Sequence, residues 1–281
     1  MARSRGSVHP GAVHYREFEP HAALRGRVRY WRLTGHADGG AAEPVLPDGC
    51  VELVVHLGDP FELERDARRE RQPRALCAGP GTAPVRLAPT GRIDVIGVRL
   101  EAGFAARVLD VPPATLVDRL PALDEVAPEF ARRLGEELVE PRAGEDWSKG
   151  LDRRLGAALA RSREPERDPI DSAVARVRAR GGRVSVGALA REANLSTRQL
   201  ERRFRARVGL GPKTFARLVR FQRALGLLRT PGASLALVAA RCGYYDQAHL
   251  VHDFRQFAEA SPSRFLAAGH ELAGHFVDAA P

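Results

Sequence analysis

Several kinds of sequence feature are scarce or missing in this chain of 281 residues. Its three cysteines, Cys50, Cys77 and Cys242, lie far apart and form no C-x-x-C pair, which argues against a disulfide framework and a zinc site. No apolar run approaches the ~20 residues that a membrane-spanning helix needs. The N-terminus is basic but lacks the apolar stretch of a signal peptide, so we expect a cytoplasmic protein that does not bind membranes.

Catalytic motifs are missing as well, since the chain has no P-loop, no G-x-S-x-G and no H-E-x-x-H. A strand predicted at residues 50–57 would place Asp48, Cys50, Glu52 and His56 on one side, but no second histidine lies near His56 to complete a metal site. Asp48 is better explained by a turn, and Glu52 and His56 by a solvated or ligand-facing side. We therefore expect no catalytic residues, no metal and no cofactor.

Lysine is also scarce, because Lys149 and Lys213 are the only two and arginine supplies nearly all of the positive charge. Residues 171–268 hold 18 basic and 6 acidic side chains, a net charge of +12, which leaves −3 for the rest of a chain whose net charge is +9. A basic region joined to a slightly acidic one is typical of a nucleic-acid-binding protein with a separate partner domain. A high arginine content can also follow from genome composition. The arginine content alone therefore does not indicate that any particular arginine binds DNA.

The basic region repeats itself at a distance of 50 residues, without a gap. The segment L-E-R-R-F-R-A-R-V-G-L-G-P-K-T-F aligns with L-V-H-D-F-R-Q-F-A-E-A-S-P-S-R-F. The aligned pairs are Leu200 with Leu250, Phe204 with Phe254, Arg205 with Arg255, Pro212 with Pro262 and Phe215 with Phe265. An ungapped match of this length indicates an internal duplication.

Each copy predicts a helix, a tight turn and a second helix. In the first copy Ser196 follows the turn and opens the second helix, with Gln199 as its capping-box partner. In the second copy Gly243 makes the turn and Asp246 takes the N-cap position. The apolar residues at four-residue spacing on each second helix predict one buried face and one exposed face.

A helix is predicted between the two copies, from Pro212 to about Arg229. Its length would be roughly 27 Å at 1.5 Å per residue. Such a connection would place the two second helices about one DNA turn apart, roughly 34 Å, on the same face of a duplex.

The exposed face of each second helix carries side chains that can bind DNA, since Arg, Gln and His donate to base edges in the major groove. The predicted base-reading residues are Arg198, Gln199, Arg202, Gln247, His249 and His252. The predicted phosphate-binding residues, which lie on these helices or near helix starts, are Thr197, Arg203, Lys213, Thr214, Ser263 and Arg264. The alternative is that all of these residues merely form solvated helix faces.

The C-terminal region resembles the DNA-binding domain of AraC-type (AraC/XylS) transcription regulators. The motif that carries the resemblance consists of Gly243, Tyr244, Asp246, Leu250, Phe254, Arg255, Ser261-Pro262-Ser263 and Phe265. It implies two helix-turn-helix subdomains bridged by a long helix, and an activator or repressor whose partners are operator or promoter DNA and RNA polymerase. Family members often carry Arg or Lys along the second recognition helix, whereas this chain has His249, His252 and Asp253, which weakens the case for base reading there.

The first 162 residues predict a β-rich, barrel-like domain with a helical appendage, so that the whole chain is an α+β protein with an all-α C-terminal domain. Strands are predicted at residues 28–33, 50–57, 61–64, 74–78, 85–87 and 92–100, with 61–64 pairing with 50–57 as a hairpin. Helices are predicted at residues 102–109, 125–139 and 147–161. The predicted divisions are an N-terminal domain at 1–162, a linker at 163–170, a DNA-binding domain at 171–268 and a tail at 269–281.

The segments L-P-D-G-C-V-E-L-V-V-H-L and D-V-I-G-V-R-L are similar to a poorly characterised N-terminal domain of some AraC-type regulators. The sensory domains of that family are often small β-barrels that bind an effector or dimerise through helices. The resemblance therefore implies a sensor or dimerisation role, with a small-molecule effector and a homodimer as partners. The helix around Leu151 is a candidate dimer face; the alternative is that it only covers the barrel.

Three functions remain open on the sequence. The first is a sequence-specific transcription regulator, and the second is a nonspecific architectural DNA-binding protein without an effector. The third is an enzyme with a reactive cysteine that its DNA-binding domain delivers to DNA. No cysteine has a neighbourhood that indicates a lowered pKa, although Arg241 adjoins Cys242. We expect the first function and no enzymatic activity.

Overall fold

The computed structural model of the chain describes residues 3–5, 13–37, 39–109, 111–139, 146–162, 168–230 and 232–269. It shows a β-rich N-terminal part with appended helices and an all-helical C-terminal part, which confirms the predicted α+β fold. Most of the predicted linker, residues 163–167, and nearly all of the predicted tail lie outside the described residues. Among the described helices, none is both long enough and apolar enough to cross a membrane.

Ten strands are present in the described residues, and they form two antiparallel sheets. They are β1 (Arg3–Arg5), β2 (His14–Phe18), β3 (Val28–Ala37), β4 (Glu43–Val45), β5 (Val51–His56), β6 (Glu62–Arg65), β7 (Arg68–Arg71), β8 (Ala75–Ala78), β9 (Val85–Ala88) and β10 (Gly91–Leu100). The larger sheet has the order β1-β2-β3-β10-β5-β8, and the smaller one has the order β4-β9-β6-β7.

Strand β10 lies at the centre of the larger sheet and is buried on both faces. It pairs with β3 along its whole length and with β5 on its other side. Ile93 and Val95 pack with Trp31 and Leu33 in the core on the side of the smaller sheet. Residues of the opposite parity, including Val98, pack against the appended helices. The strand predicted at residues 92–100 is therefore present, and from Val95 to Leu100 all of its residues are buried.

The hairpin predicted between residues 61–64 and 50–57 is wrong. Strand β6 pairs instead with β7 and β9 in the smaller sheet. The turn between β6 and β7 consists of Asp66 and Ala67, both with positive φ, 49° and 60°. Such a two-residue turn usually carries Asn or Gly, and β7 is a fully charged, exposed edge strand. The turn therefore lacks the residues that usually mark a hairpin, and β7 lacks the apolar residues that usually mark a strand.

Ten helices follow or intervene in the described residues. They are α1 (Leu123–Val126), α2 (Pro128–Val139), α3 (Trp147–Arg161), α4 (Pro169–Ala179), α5 (Val186–Glu192), α6 (Thr197–Val208), α7 (Pro212–Leu228), α8 (Leu235–Cys242), α9 (Gln247–Ala258) and α10 (Pro262–Ala267). Short 3-10 turns lie at Ala22–Leu24, Ala105–Arg107 and Pro113–Leu116.

Two helix predictions in the N-terminal part need correction. The helix expected at residues 102–109 is only the 3-10 turn Ala105–Arg107, because Gly103 adopts a left-handed φ of 88° and interrupts the helical path. The helix expected at 125–139 is divided into α1 and α2. Pro128 opens α2 and disfavours helical geometry at Ala127, which has φ −149° and ψ 70°.

Helix α3 has the predicted bounds, and its apolar stripe packs on the larger sheet. Trp147 lies edge-on to Phe18 at 4.8 Å between ring centroids, and Leu151 and Leu155 are fully buried. The Tyr30 hydroxyl donates to Asp152 Oδ1 at 2.9 Å. The prediction of a dimer face at Leu151 is therefore wrong, because this stripe covers the barrel of its own chain.

The C-terminal part is built around α7, the helix predicted from Pro212 to about Arg229. Phe215 on α7 packs against Phe204 of the first copy at 5.7 Å between ring centroids. Phe221, on the same helix, packs against Phe254 of the second copy at 5.0 Å. One helix thus supplies core residues to both copies, which fixes them relative to each other.

Candidate nucleic-acid interface

The first copy of the repeat is a helix-turn-helix unit made of α5 and α6. Asn194 sits in the turn with a left-handed φ of 54°. The Gln199 backbone N–H donates to Ser196 Oγ at 3.2 Å, and the Ser196 N–H donates to Gln199 Oε1 at 2.9 Å. This is the predicted capping box, and it fixes the N-terminal end of α6. Because its Oε1 accepts in the cap, Gln199 has its side-chain NH₂ group left for a base.

The exposed face of α6 is strongly basic. Leu200 and Phe204 are fully buried, so the opposite side of the helix faces solvent. The open cleft along this side is lined by Ser196, Arg198, Gln199, Glu201, Arg202 and Arg205. The structure thus brings together all three base-reading residues predicted in this copy. It adds Arg205, which follows Arg198 and Arg202 at helical spacing and could have been found by that periodicity.

The predicted phosphate-binding residues of α6 differ in their surroundings. Thr197 is exposed at the first position of the helix. Arg203 is half-buried and its Nη2 donates to Asp168 Oδ2 at 2.9 Å, where Asp168 is the N-cap of α4. Arg203 therefore holds α6 to α4 through Nη2, and its other N–H groups are not used in this contact.

The second copy repeats this geometry with α8 and α9. Gly243 makes the turn in a left-handed conformation, as predicted, and Asp246 Oδ1 accepts from the His249 backbone N–H at 2.8 Å. Leu250 and Phe254 are fully buried, as are their counterparts in the first copy. The helix therefore starts and packs in the same way as α6, with a carboxylate in place of a hydroxyl as the cap.

The exposed face of α9 carries less charge than that of α6. Gln247 and His252 are exposed. His249 is half-buried, its ring lies edge-on to Tyr244 at 5.1 Å, and its Nδ1 accepts from the Tyr245 N–H at 3.5 Å. His249 therefore supports the turn with one ring nitrogen, and only Nε2 is left to reach a base.

Asp253 does not lie on the exposed face of α9. It is fully buried, and Arg217 of α7 donates to its Oδ1 at 2.6 Å. The Arg217 guanidinium also donates to Gln256 and lies over the ring of Phe257. The carboxylate whose presence weakened the case for base reading is therefore neutralised inside the protein.

A groove between the two copies brings predicted base-reading and phosphate-binding residues together. It is lined by Lys213 at the start of α7, His249 and His252 of α9, and Arg217 and Arg220. Thr214 is half-buried beside Lys213. Ser263 and Arg264 are exposed at the start of α10, where Ser261 Oγ caps the helix by accepting from the Arg264 N–H at 3.3 Å.

Tyr245 is a residue of this surface that the sequence did not single out. It directly precedes the cap of α9, and 93% of its surface is exposed, far more than for any other large apolar side chain in the described residues. Such exposure of an aromatic ring is informative only once the fold is known. The family motif includes the buried Tyr244 and skips Tyr245, but it does not indicate that Tyr245 is exposed.

The polar residues predicted on one side of the strand at 50–57 form buried pairs. Arg99 donates to Glu52 Oε1 at 2.8 Å and also binds Asp48. Asp48 Oδ1 accepts from the Cys50 N–H at 2.8 Å, which confirms its predicted turn role. His56 Nε2 lies 3.2 Å from Gln72 Oε1. With His56 only 3% exposed, a solvated position for it is wrong.

The three cysteines are all buried. Burial raises the pKa of the Cys77 thiol to about 12 and that of Cys50 well above its ordinary value. Burial also raises the pKa of Cys242, although Arg223, Arg183 and Arg220 act in the opposite direction. A reactive cysteine requires a lowered pKa and access to solvent. Within the described ranges, no three His, Cys, Asp or Glu side chains are grouped so that they could hold a metal ion.

Two family matches cover most of these elements. Residues 189–268 match the family described as "Helix-turn-helix domain", and residues 16–121 match a "Domain of unknown function (DUF6597)". The first match runs from the middle of α5 to the end of α10 and includes α7. The second spans both sheets apart from β1 and the start of β2.

Curated relatives match about a quarter of the chain. The HTH-type transcriptional regulator MtrA of Neisseria gonorrhoeae is 34% identical over 77 residues, which is 27% of this chain and 26% of the relative. The HTH-type transcriptional activator RhaS of Escherichia coli is 35% identical over 79 residues, 28% of each protein. The chain thus spans only about a quarter of the length of these relatives.

Two solved structures are similar to parts of the chain. The DNA-binding domain of AdpA in complex with a target DNA is 33% identical, with a TM-score of 0.35 over 36% of this chain and 93% of that one. ToxT of Vibrio cholerae is 10% identical, with a TM-score of 0.45 over 86% of this chain and 97% of the other. Residues 189–268 of the chain therefore form a helix-turn-helix domain of the AraC/XylS type, and a domain of unknown function lies on its N-terminal side at residues 16–121.

Proposed function

We propose that this protein regulates transcription by binding a specific operator or promoter sequence. In this proposal α6 and α9, the two recognition helices, enter successive segments of the major groove on one face of the duplex. The observation that carries the proposal is the duplication itself. Two helix-turn-helix units share α7 as a common core helix, and each has a recognition helix with a polar exposed face.

Base reading on α6 is assigned to Arg198, Gln199 and Arg202. Arginine donates two parallel hydrogen bonds to guanine, and a glutamine amide can donate to base acceptors. On α9 the same role is assigned to Gln247, His252 and the Nε2 atom of His249. The α6 side carries more positive charge, so we expect it to contribute more to affinity.

Phosphate binding is assigned to Thr197, Lys213, Thr214, Ser263 and Arg264. These residues lie at the starts of α6, α7 and α10, where unpaired backbone N–H groups and the helix dipole favour an anion. Such contacts set the position of the protein on the duplex without reading its sequence. Arg203 is assigned to the same group through the N–H donors that its contact with Asp168 does not use.

The N-terminal domain is assigned a sensory role, in which a ligand or partner changes the affinity of the recognition helices for DNA. The buried pairs around Arg99 and the contacts of the Asp48 loop with α7 support this assignment, since they join the interior of the β-rich part to the helix that both copies share. Contacts with RNA polymerase and with a second copy of the chain stay predictions.

A second candidate function is nonspecific, architectural DNA binding without an effector. The three exposed arginines of α6 favour it, because charge alone gives affinity for any duplex. Competition between a fragment selected from a random pool and bulk random DNA, at one fixed salt concentration, separates the two. We expect the selected fragment to bind ~10³-fold or more tightly, the lower end for specific binders. A ratio near one would establish the architectural alternative.

A further inference from the structure

Three arginines meet where the two copies of the repeat join. Arg183 lies in the connection between α4 and α5, and Arg220 and Arg223 lie on α7. All three lie close to the turn between α8 and α9, since burial raises the pKa of the Cys242 thiol at this turn and the three arginines act in the opposite direction. Arg183, Arg220 and Arg223 are called the junction cluster below.

Two glycines bring the elements that carry this cluster into direct contact. A β-carbon at Gly182 would lie 2.2 Å from the Ala216 carbonyl oxygen and 2.9 Å from Arg220 Cβ, so the α4–α5 connection lies directly on α7. A β-carbon at Gly243 would lie 2.5 Å from Arg183 Cδ, so the Arg183 side chain lies directly on the turn of the second copy. Both glycines have a left-handed φ of 76°. The cluster is therefore a fixed part of the junction between the copies.

The positive charge of the junction cluster is not balanced in the part of the chain that the structure describes, because none of its arginines forms an ion pair there. Arg220 is half-buried, and its guanidinium lies over the Tyr244 ring at 4.7 Å. Its Nη1 donates to the Gly243 carbonyl at 3.4 Å, and its Nε is buried without a hydrogen-bond partner among the described residues. Neighbouring cations repel one another, so an anion bound among them would be stabilised.

Arg220 also lines the groove between the two copies, whose volume is about 410 Å³. The other basic residues of its wall are Lys213, Arg217, His249 and His252, and none of the described residues that line it is acidic. Of these, Arg217 is already paired with the buried Asp253. A cleft lined by one sign of charge attracts ions of the opposite sign. The groove and the junction cluster therefore form one continuous site for an anion.

The position of the groove favours DNA as the source of that anion. His249 and His252 in its wall belong to α9, the recognition helix of the second copy. Val184 and Val186, at the entry to α5, line it as well. In a helix-turn-helix unit the first helix crosses the DNA backbone while the second enters the major groove. A duplex that engages both copies would therefore pass its backbone across this groove.

We propose that the groove and the junction cluster hold one phosphate of the DNA backbone, between the two base-reading blocks, with Arg183 and Arg220 as its ligands. Arginine suits this role because its planar group can donate two N–H groups to one phosphate. The contact rests on the proposed function, since it requires that the chain bind DNA. Because the ligands come from the junction of the copies, this phosphate would fix the position of both recognition helices on the duplex.

Uncharged phosphates test the contact one position at a time. The DNA is the fragment selected from a random pool, with a methylphosphonate replacing each phosphate in turn across the stretch between the two blocks. For the wild type we expect one position at which affinity falls about tenfold, the effect of losing a hydrogen bond to a charged group. Methylphosphonates at the neighbouring positions should have a clearly smaller effect.

Two variants test whether the junction cluster makes this contact. In Arg183→Gln and in Arg220→Gln the methylphosphonate at the sensitive position should change affinity by only about twofold or less, because the two changes remove the same interaction. Arg183 is exposed, so Arg183→Gln serves if the loss of the Arg220 contact with Tyr244 disturbs folding. Urea unfolding identifies the folded variants.

The matched control is Arg241→Gln, which removes an exposed charge from α8, outside the junction cluster. It should keep the full cost of the methylphosphonate. The proposal is overturned if no position between the blocks costs more than its neighbours, or if the cost persists in every folded variant of the cluster. It is also overturned if Arg241→Gln removes the cost equally.

A free anion is the other source of the same chemistry. Thermal unfolding of the DNA-free chain in sodium pyrophosphate, compared with sodium chloride at equal ionic strength, tests this source. We expect the same unfolding midpoint in both salts, because one phosphate contact without the rest of the duplex is weak. Stabilisation by pyrophosphate that is lost in Arg183→Gln, without a sensitive position in the DNA, would assign the cluster to a free anion and overturn the contact with DNA.

Salt dependence on random DNA separates this contact from sequence-specific binding. A backbone contact does not depend on sequence, so Arg183→Gln and Arg220→Gln should each reduce the slope of log affinity against log salt by about one unit on a random duplex. Arg25→Gln, at an exposed position of the N-terminal part, should leave the slope unchanged. If no specific DNA is found, the proposed function fails, but this slope still decides the contact, and an unchanged slope in the cluster variants overturns it.

Discussion

The two helix-turn-helix units have the same core but different exposed faces. Leu200 and Phe204 in the first unit and Leu250 and Phe254 in the second are all fully buried, and each recognition helix starts with a side-chain cap. On the exposed faces, by contrast, α6 carries three arginines, whereas α9 carries one arginine, Arg255, together with the exposed Gln247 and His252.

This difference shows which parts of a duplicated unit are physically constrained. Core positions must fill a fixed volume at close packing, so both copies keep Leu and Phe there. Exposed positions contribute little to stability, and the two copies differ at most of them, with Arg205 and Arg255 as an exception. The identical core residues therefore indicate that the two copies share an origin, whereas the differing exposed residues bear on function.

The largest expected effect concerns the shared core. Phe204→Ala and Phe254→Ala should each lower the free energy of unfolding by about 3–5 kcal/mol, because each removes a fully buried ring beside α7. Urea unfolding of the full chain measures both. Leu237→Ala is the control, since Leu237 is half exposed and its loss should cost far less. A small effect of one phenylalanine alone would show that the two cores are not equivalent.

Arg202 and His252 test the difference between the exposed faces. Arg202→Ala should weaken binding to the preferred DNA site by ~1–3 kcal/mol and relax the preference at one base pair. His252→Ala should cost less than ~1 kcal/mol, because an imidazole ring makes fewer hydrogen bonds to a base than a guanidinium. Fluorescence titration of selected and scrambled duplexes gives both values.

The control for Arg202 is Arg25→Ala, which removes the same charge from an exposed position in the N-terminal part. It should leave the site preference unchanged. If Arg202→Ala instead weakens binding to all sequences equally, Arg202 is a phosphate contact and not a base contact.

The N-caps of α6 and α9 provide a second comparison between the two copies, with a smaller expected effect on stability. Ser196→Ala and Asp246→Ala each leave a backbone N–H of a recognition helix without its cap, at a cost of ~1 kcal/mol in stability. Thermal unfolding measures the loss, with Ser172→Ala on the exposed side of α4 as the control. Equal losses are expected at the two caps, and a loss at Ser196 alone would mean that α9 is fixed by other contacts.

Lys213 and Arg264 are expected to show the smallest effect. Lys213 is the second residue of α7 and Arg264 is the third residue of α10, so each copy has one basic residue at the start of its last helix. Replacing either by alanine should reduce the slope of log affinity against log salt by about one unit and weaken binding to all sequences alike. Titrations at four salt concentrations measure the slope. A sequence-dependent loss would mean that the residue reads a base.

The sequence predicted the C-terminal part well because its signals are local. The spacing of Leu200 and Phe204, the capping pair Ser196 and Gln199, and Pro212 at a helix start each act within one or two turns of helix. The N-terminal helix α3 was also predicted with its correct bounds, since its four apolar residues recur at helical spacing.

The features that the sequence did not reveal depend on contacts between distant residues. Arg99 is 47 residues from Glu52 and 51 from Asp48, and Gln222 is 175 residues from Pro47. The smaller sheet includes β7, whose four residues are all charged and exposed. Asp253 has the charge of a surface residue, and only its pairing with Arg217 explains its burial.

Selection of bound DNA from a random pool by the wild type, Arg202→Ala and His252→Ala, in parallel, tests the central claim most directly. The claim predicts two conserved blocks about 10 base pairs apart, roughly one turn of DNA. Arg202→Ala should relax a position in one block only, and His252→Ala a position in the other. A single conserved block, or the same block altered by both substitutions, would contradict the reading of DNA by two recognition helices.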